Sequence, residues 1–174
     1  MSVVSNSSPL ISLGKLDMLF LLKKLYGRVI VLQAVYEEVV VRGLKEDRKD
    51  AFQVVSLIEG GIICIENVDV GEDVLNETLG RGEIETIVYA SRKKADLVLM
   101  DDLPARIEAR KRNLKVKGTI GILYEAYCKN FLDWYNFQGV IQEIISRKDI
   151  WIHEDLCKEV LARAKTVNYQ KKLR

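Results

Sequence analysis

A single histidine, three scattered cysteines and the lack of any long uninterrupted apolar run set the first limits on this 174-residue chain. His153, beside Trp151 and Ile152, has no second histidine to work with, which argues against a multi-histidine metal site and against histidine-based general-base catalysis. Cys64, Cys128 and Cys157 are odd in number and never form a C-x-x-C pair, so neither a disulfide framework nor a zinc site is expected. The most apolar stretches, around residues 16–25 and 29–41, are broken by Asp17, Lys23 and Lys24 and by Glu37 and Glu38, so neither can span a bilayer. The opening Met1–Gly14 lacks the charged start of a secretory signal, and the expected location is the cytoplasm. Repeats and low-complexity linkers are also missing. The overall balance, 48% apolar and 30% charged residues, is that of an ordinary globular domain with one core. The net charge of +2 hides an asymmetry: residues 158–174 carry six Lys/Arg and one Glu, a basic end on a mildly acidic body.

The pattern along the chain alternates short β-prone segments with helices. Ser2–Ser5 reads as a strand, Asn6 as the cap of a helix with Pro9 near its start and Gly14 at its end, and Leu16–Leu25 as a second helix running to Gly27. Val29–Leu32 is a buried strand, Gln33–Arg42 a helix closed by Gly43, Ala51–Ile58 a helix stopped by Gly60-Gly61, and Ile62–Ile65 a third strand. Val70–Leu79 is an expected helix, Gly80-Arg81-Gly82 a turn, and Glu83–Lys94 an amphipathic helix. Leu97–Met100 is a fourth strand and Pro104–Asn113 a basic helix, and Lys115–Lys117 supplies an optional fifth strand before a helix from Thr119 to Cys128. Two more helices are expected over Phe137–Ser146 and Asp155–Lys165, with Asn168–Arg174 a polar end without expected order. Such alternation predicts a three-layer α/β fold with a mostly parallel sheet of four or five strands.

The organising stretch is Leu97-Val98-Leu99-Met100-Asp101-Asp102, a buried strand that ends in two carboxylates, at the edge where parallel sheets bind ligands. If the first and fourth strands are neighbours, Asn6 and Asp101/Asp102 sit at adjacent strand ends, and Glu38 and Glu83 approach from helices on the same rim. Oxygen ligands without His or Cys suit a hard divalent ion, Mg²⁺ or Mn²⁺, and phosphoryl chemistry. The competing reading is that these acids are merely solvated. A receiver-like phosphoacceptor domain is a further alternative, since Pro104 and Lys117 follow Asp101 at suggestive places; it is weakened because Asn6-Ser7 stands where that fold needs an acidic pair.

The order of motifs resembles a PIN-like domain, most closely the uncharacterised prokaryotic branch related to VapC toxins. The resemblance rests on five stretches: Val4-Ser5-Asn6-Ser7-Ser8-Pro9-Leu10-Ile11, Val35-Tyr36-Glu37-Glu38-Val39, Gly80-Arg81-Gly82-Glu83-Ile84-Glu85-Thr86-Ile87, Leu99-Met100-Asp101-Asp102 with Ala105-Arg106, and Gly118-Thr119-Ile120-Gly121-Ile122-Leu123. It implies an α/β/α nuclease domain over residues 1–150, with 151–174 a C-terminal helix and basic tail in the same domain or appended to it. It further implies a toxin-type, metal-dependent endoribonuclease that hydrolyses phosphodiesters with a metal-activated water. RNA, a possible antitoxin protein and a second copy of the chain are the implied partners, with no membrane role.

By this resemblance Asn6, Glu38, Glu83 and Asp101 take the catalytic positions, Glu38, Glu83 and Asp101 hold the ion, and Ser8 supports the first position. Glu85 and Asp102 stand as close substitutes for their neighbours. The chain departs from the pattern at Asn6, where PIN-like nucleases ordinarily carry Asp; an amide oxygen is a neutral, weaker ligand. A catalytically weak RNA- or protein-binding module is therefore the alternative reading. Arg81, Arg106 and Arg110 are the expected RNA phosphate contacts, against the reading that they form a solvated helix face. Phe131, Trp134, Tyr135 and Phe137 are expected in a core or a dimer contact rather than as a base-stacking platform.

Overall fold

A computed structural model describes residues 1–71 and 78–172; the helix expected over Val70–Leu79 falls largely outside them. Five strands, β1 (Val3–Ser5), β2 (Val29–Leu32), β3 (Ile63–Glu66), β4 (Leu97–Leu99) and β5 (Val116–Lys117), form one parallel sheet in the order β3-β2-β1-β4-β5. Helices flank it in the α/β/α arrangement. β1 lies between β2 and β4, with Val4 opposite Ile30 on one side and Val98 on the other. Being covered on both faces, these strands are continuous apolar runs rather than alternating ones: Val3, Val4, Val29, Val31, Leu32, Val98 and Leu99 are all buried. From β1 the chain builds outward through β2 and β3, then returns to add β4 and β5 on the opposite side. The order therefore reverses between β1 and β4, the place where open parallel sheets commonly bind ligands.

The chain divides into two compact units, Met1–Thr119 and Ile120–Arg174. In the first, α1 (Ser7–Lys15) and α2 (Phe20–Tyr26) follow β1, and α3 (Gln33–Tyr36) follows β2 at once. The single helix expected over Gln33–Arg42 is interrupted: Glu37–Arg42 winds as a π-helix, and Gly43 continues into the short α4 (Gly43–Lys45) instead of closing the helix. α5 (Lys49–Glu59), α6 (Arg81–Arg92) and α7 (Leu103–Lys111) complete the unit.

Two glycines expected to stop helices serve instead for close packing. A Cβ on Gly43 would lie 2.6 Å from Ala51 Cβ, and one on Gly14, inside α1, would lie 2.5 Å from Asp50 Cβ and 3.0 Å from its Cα. Both contacts are with α5, so these glycines let α1 and the end of the π segment rest directly on it.

In the second unit, α8 (Thr119–Cys128) leads to α9 (Trp134–Ser146), and α10 (Glu154–Lys172) packs on α9. The last helix takes in most of the Asn168–Arg174 stretch expected to lack order. Tyr127 stacks on Phe137 at 4.9 Å and meets Trp134 edge-on at 6.1 Å, so these rings form a small core, while Tyr135 and Phe131 stay exposed. Among the described residues no helix is long and apolar enough to cross a membrane.

The Gly14 contact sets two effects against each other. Alanine gains up to about 1 kcal/mol of helix propensity, whereas forcing a methyl into a packed helix contact costs about 1–3 kcal/mol. With backbone atoms of α5 as the obstacle, Gly14→Ala is expected to lower stability by about 1–2 kcal/mol in urea unfolding; a variant as stable as the parent would show that α1 and α5 can separate freely.

Candidate functional site

The parallel pairing sets Ser5 opposite Leu99, and the next residue, Asn6, donates its backbone N–H to the Leu99 carbonyl at 2.9 Å. Asn6 occupies the N-cap position of α1 in an extended conformation, yet its side chain accepts no hydrogen bond from the helix. The amide that would ordinarily cap is turned into the crevice: a Cβ on Gly82 would meet Asn6 Oδ1 at 3.6 Å and Glu38 Oε2 at 3.7 Å. The amide and the carboxylate thus flank the same space beside Gly82. Glu38 is held there by Ser7, whose Oγ donates to Glu38 Oε2 at 2.5 Å. Ser8, the hydroxyl suggested by the sequence, also lines the crevice, but the hydroxyl in contact with the acid is that of Ser7.

Glu83 and Glu85 separate into different environments. Glu83, in the first turn of α6, accepts the Gly80 backbone N–H at 2.9 Å, the returning half of a capping box, and lines the crevice. Its carboxyl is held above its ordinary range first by burial and then by the like charges of Asp102 and Glu38, against the lowering effect of the Gly80 hydrogen bond. Glu85 is only 4% exposed and faces the protein. Its Oε2 accepts the Ala34 backbone N–H at 2.9 Å, satisfying one of the open donors in the first turn of α3, and its Oε1 accepts Arg81 Nε at 2.8 Å. Arg81 also reaches Glu37 at 3.1 Å, so this expected phosphate contact is tied to two carboxylates at the rim.

Asp101 and Asp102 diverge in the same way. Asp101 Oδ1 accepts the Thr119 backbone N–H at 2.7 Å and Oδ2 accepts the Thr119 hydroxyl at 2.6 Å. Burial raises its carboxyl pKa, while these two bonds and the neighbouring Arg106 pull it down. A Cβ on Gly118 would fall 2.7 Å from Asp101 Oδ1 and 2.5 Å from Arg106 Nη1, so a side chain there would displace the ends of both. Asp102 caps α7 by accepting the Ala105 N–H at 2.9 Å, and its charge is felt at Glu83. Arg106 donates to the Met100 carbonyl at 3.2 Å, and Arg110 lies exposed on α7; neither lines the crevice.

The crevice is a cavity of about 390 Å³ lined by Asn6, Ser7 and Ser8, by Glu37, Glu38 and Arg42 from the π segment, and by Gly80–Glu83 from the start of α6. Asn6, Glu38 and Glu83 are thus gathered, with the charge of Asp102 acting on Glu83, while Asp101 and Glu85 are engaged with the fold. Sequence patterns alone do not single out Ser7, Glu37, Arg42 or Thr119 as site residues. Ser7 and Glu37 lie inside the motif stretches, but which of two adjacent residues faces a site depends on helix phase. Among the described residues no three Asp, Glu, His or Cys side chains are drawn close enough to hold a metal ion by themselves. The donor set is all oxygen, and Glu83 is raised by burial and then by repulsion from neighbouring acids, which suits a hard cation held by one or two carboxylates, an amide oxygen, water and a ligand phosphate. Replacing Glu38 with Gln, or Asp102 with Asn, removes a like charge and is expected to lower the Glu83 carboxyl pKa. Carbon NMR titration of the Glu83 carboxyl reads the shift, and an unmoved midpoint in both variants would show that these acids do not share a site.

The arrangement has known counterparts. A profile of the PIN-domain family matches residues 2–166. No curated protein sequence matches the chain. Among solved structures it is similar to SSO1118, a PilT N-terminus domain protein from the hyperthermophilic archaeon Sulfolobus solfataricus P2, with a TM-score of 0.54 at 17% identity over 72% of this chain and 93% of that one. With a match along nearly its whole length, a five-stranded parallel α/β/α sheet and an acidic crevice at the carboxyl end of β1, the chain belongs to the PIN-domain family, whose members are generally nucleases.

Proposed function

We propose that the protein is a metal-dependent endoribonuclease, with its active site in the crevice between the carboxyl end of β1, the π segment and the start of α6. The observation that carries this reading is the gathering of Asn6, Glu38 and Glu83 around Gly82, with Glu83 raised by burial and then by its acidic neighbours. Asn6 Oδ1, Glu38 and Glu83 would hold the ion, with Asp102 adding negative charge behind Glu83. Mg²⁺ or Mn²⁺, when bound, would activate the attacking water and neutralise charge on the phosphodiester.

The chain's own groups divide the remaining work. Ser7 fixes the Glu38 carboxylate through its short hydrogen bond, and the Gly80 N–H fixes that of Glu83, so both acids are oriented before anything binds. Gly82 keeps the floor of the crevice free of side chain, which lets a phosphate approach the acids closely. Asp101 is a positioning residue in this reading: its two bonds to Thr119 lock the end of β4 and thereby aim Asp102. A toxin role with an antitoxin partner and a homodimer belong to the same proposal, carried by the family resemblance. A weakly catalytic binding module is favoured by one observation, the neutral amide at position 6, which leaves the crevice one charge short.

The two readings separate in one assay. Purified protein is incubated with structured RNA and Mn²⁺ or Mg²⁺, with and without chelator. Cleavage that needs metal and falls roughly 100-fold or more in Glu38→Gln and Glu83→Gln supports the nuclease, as expected when several kcal/mol of charge stabilisation is lost. Asn6→Asp is expected to tighten metal binding and raise turnover about tenfold, since affinity follows ligand charge. No cleavage by either the parent or Asn6→Asp, with both folded, would leave the binding module. Asp102→Asn should lose activity without losing stability, whereas Asp101→Asn should lower stability by about 1–2 kcal/mol by placing an amide N–H against the Thr119 donors.

A further inference from the structure

We infer that Arg42 is the residue that receives the RNA backbone phosphate in this crevice. The inference rests on the nucleic-acid reading above and concerns binding rather than cleavage. A crevice lined by Glu37, Glu38 and Glu83 repels a polyanion, so an RNA strand needs a cation at the wall besides any metal. Among the described residues the cations that line the crevice are Arg42 and Arg81; Arg106 and Arg110, expected from the sequence, lie on α7. Arg81 is bound to Glu37 and Glu85, and Arg106 to the Met100 carbonyl beside Asp101. Arg110 is exposed but does not line the crevice. Arg42 lines it, is exposed, and has no side-chain hydrogen bond or ion pair among the described residues.

None of the local acids pairs with Arg42: Glu37 is held by Arg81, Glu38 accepts from Ser7, and Glu83 accepts from the Gly80 N–H. The π segment explains how it arrives there. Its i→i+5 winding carries Glu37, Glu38 and Arg42 to the crevice wall while Val39 and Val40 stay buried, so the acid and the guanidinium are offered from one rigid turn. The planar guanidinium of Arg42 can grip a phosphate with two parallel hydrogen bonds, next to the acids that would hold the ion. Sequence motifs point instead to the basic helix after Asp102; among the described residues the crevice-lining cation without an ion pair lies on the element that carries Glu38.

The test measures binding of a fluorescein-labelled single-stranded RNA oligomer by anisotropy in EDTA, with salt varied. Arg42→Ala is expected to weaken binding about tenfold and to make the log–log salt slope shallower by about 1, the loss of one phosphate contact. Arg42→Lys should keep the slope and recover part of the affinity, because charge is retained and the fork is lost. Lys24→Ala, an exposed cation outside the crevice, is the charge-matched control. Arg42→Ala binding within twofold of Lys24→Ala, or a parent protein that does not bind RNA in EDTA, overturns the inference; circular dichroism confirms that each variant is folded. Metal-dependent cleavage is scored separately. Cleavage dependent on Glu38 but indifferent to Arg42 sinks only the Arg42 assignment, and Arg42-dependent binding without cleavage sinks only the nuclease reading.

Discussion

The parallel pairing of β1 with β4, extended past its end by the Asn6 N–H to Leu99 carbonyl bond, is the constraint on which the rest of the molecule depends. β1 is three residues long and opens the chain, yet it is the central strand of the sheet, so its position is fixed by contacts with segments far along the sequence. Once it is flanked by β2 and β4, connections must leave in opposite directions, and a gap between them is unavoidable. Asn6 and the Asp101-Asp102 pair are the first residues beyond these strands, and the crevice lies on the Asn6 side, walled by α3, the π segment and the start of α6.

The acids divide between structural bonds and the crevice, Asp102 doing structural work as the α7 cap while its charge still acts on Glu83. Glu85 caps α3 and Glu83 lines the cavity; Asp101 ties down Thr119 and Asp102 sends its charge toward Glu83. A carboxylate buried against backbone N–H groups needs no counter-ion to be satisfied, and no buried side-chain polar atom among the described residues lacks a partner. The acids of the crevice are different. They face one another, and burial with repulsion keeps the Glu83 proton on to higher pH than in an open carboxyl. Stability is therefore lost as pH climbs from the ordinary carboxyl value to the raised one, where the folded state binds a proton that the unfolded chain has already released, and a bound cation would offset that loss.

Much of the fold was legible in the sequence because the sheet is buried on both sides. Val29–Leu32 matches β2 residue for residue, and Leu97–Asp102 reads as strand followed by site because apolar runs and terminal acids are local signals. The ends of helices were less legible. Gly14 and Gly43 look like terminators in sequence but are spacers in the structure, since whether glycine caps or packs depends on a helix, α5, that comes later in the chain. The π winding of Glu37–Arg42 has no composition of its own, and with it went the placement of Arg42. Adjacent pairs posed the same problem in miniature: Ser7 against Ser8, Asp101 against Asp102. A motif fixes such residues to within a turn, and only the angle at which the helix leaves the sheet decides which one looks inward.

Glu85 is a helix cap supplied by a different element from the helix it caps. Its carboxylate joins the opening turn of α3 to α6 and to Arg81, so it acts as a strut that sets the spacing of the two walls from outside the cavity. The mouth is consequently preorganised: a ligand entering it finds the walls already at their working separation and spends little binding energy on shaping them. A survey of substitutions judged by loss of function alone would therefore score Glu85 among the active-site residues, although it faces away from anything the crevice could hold.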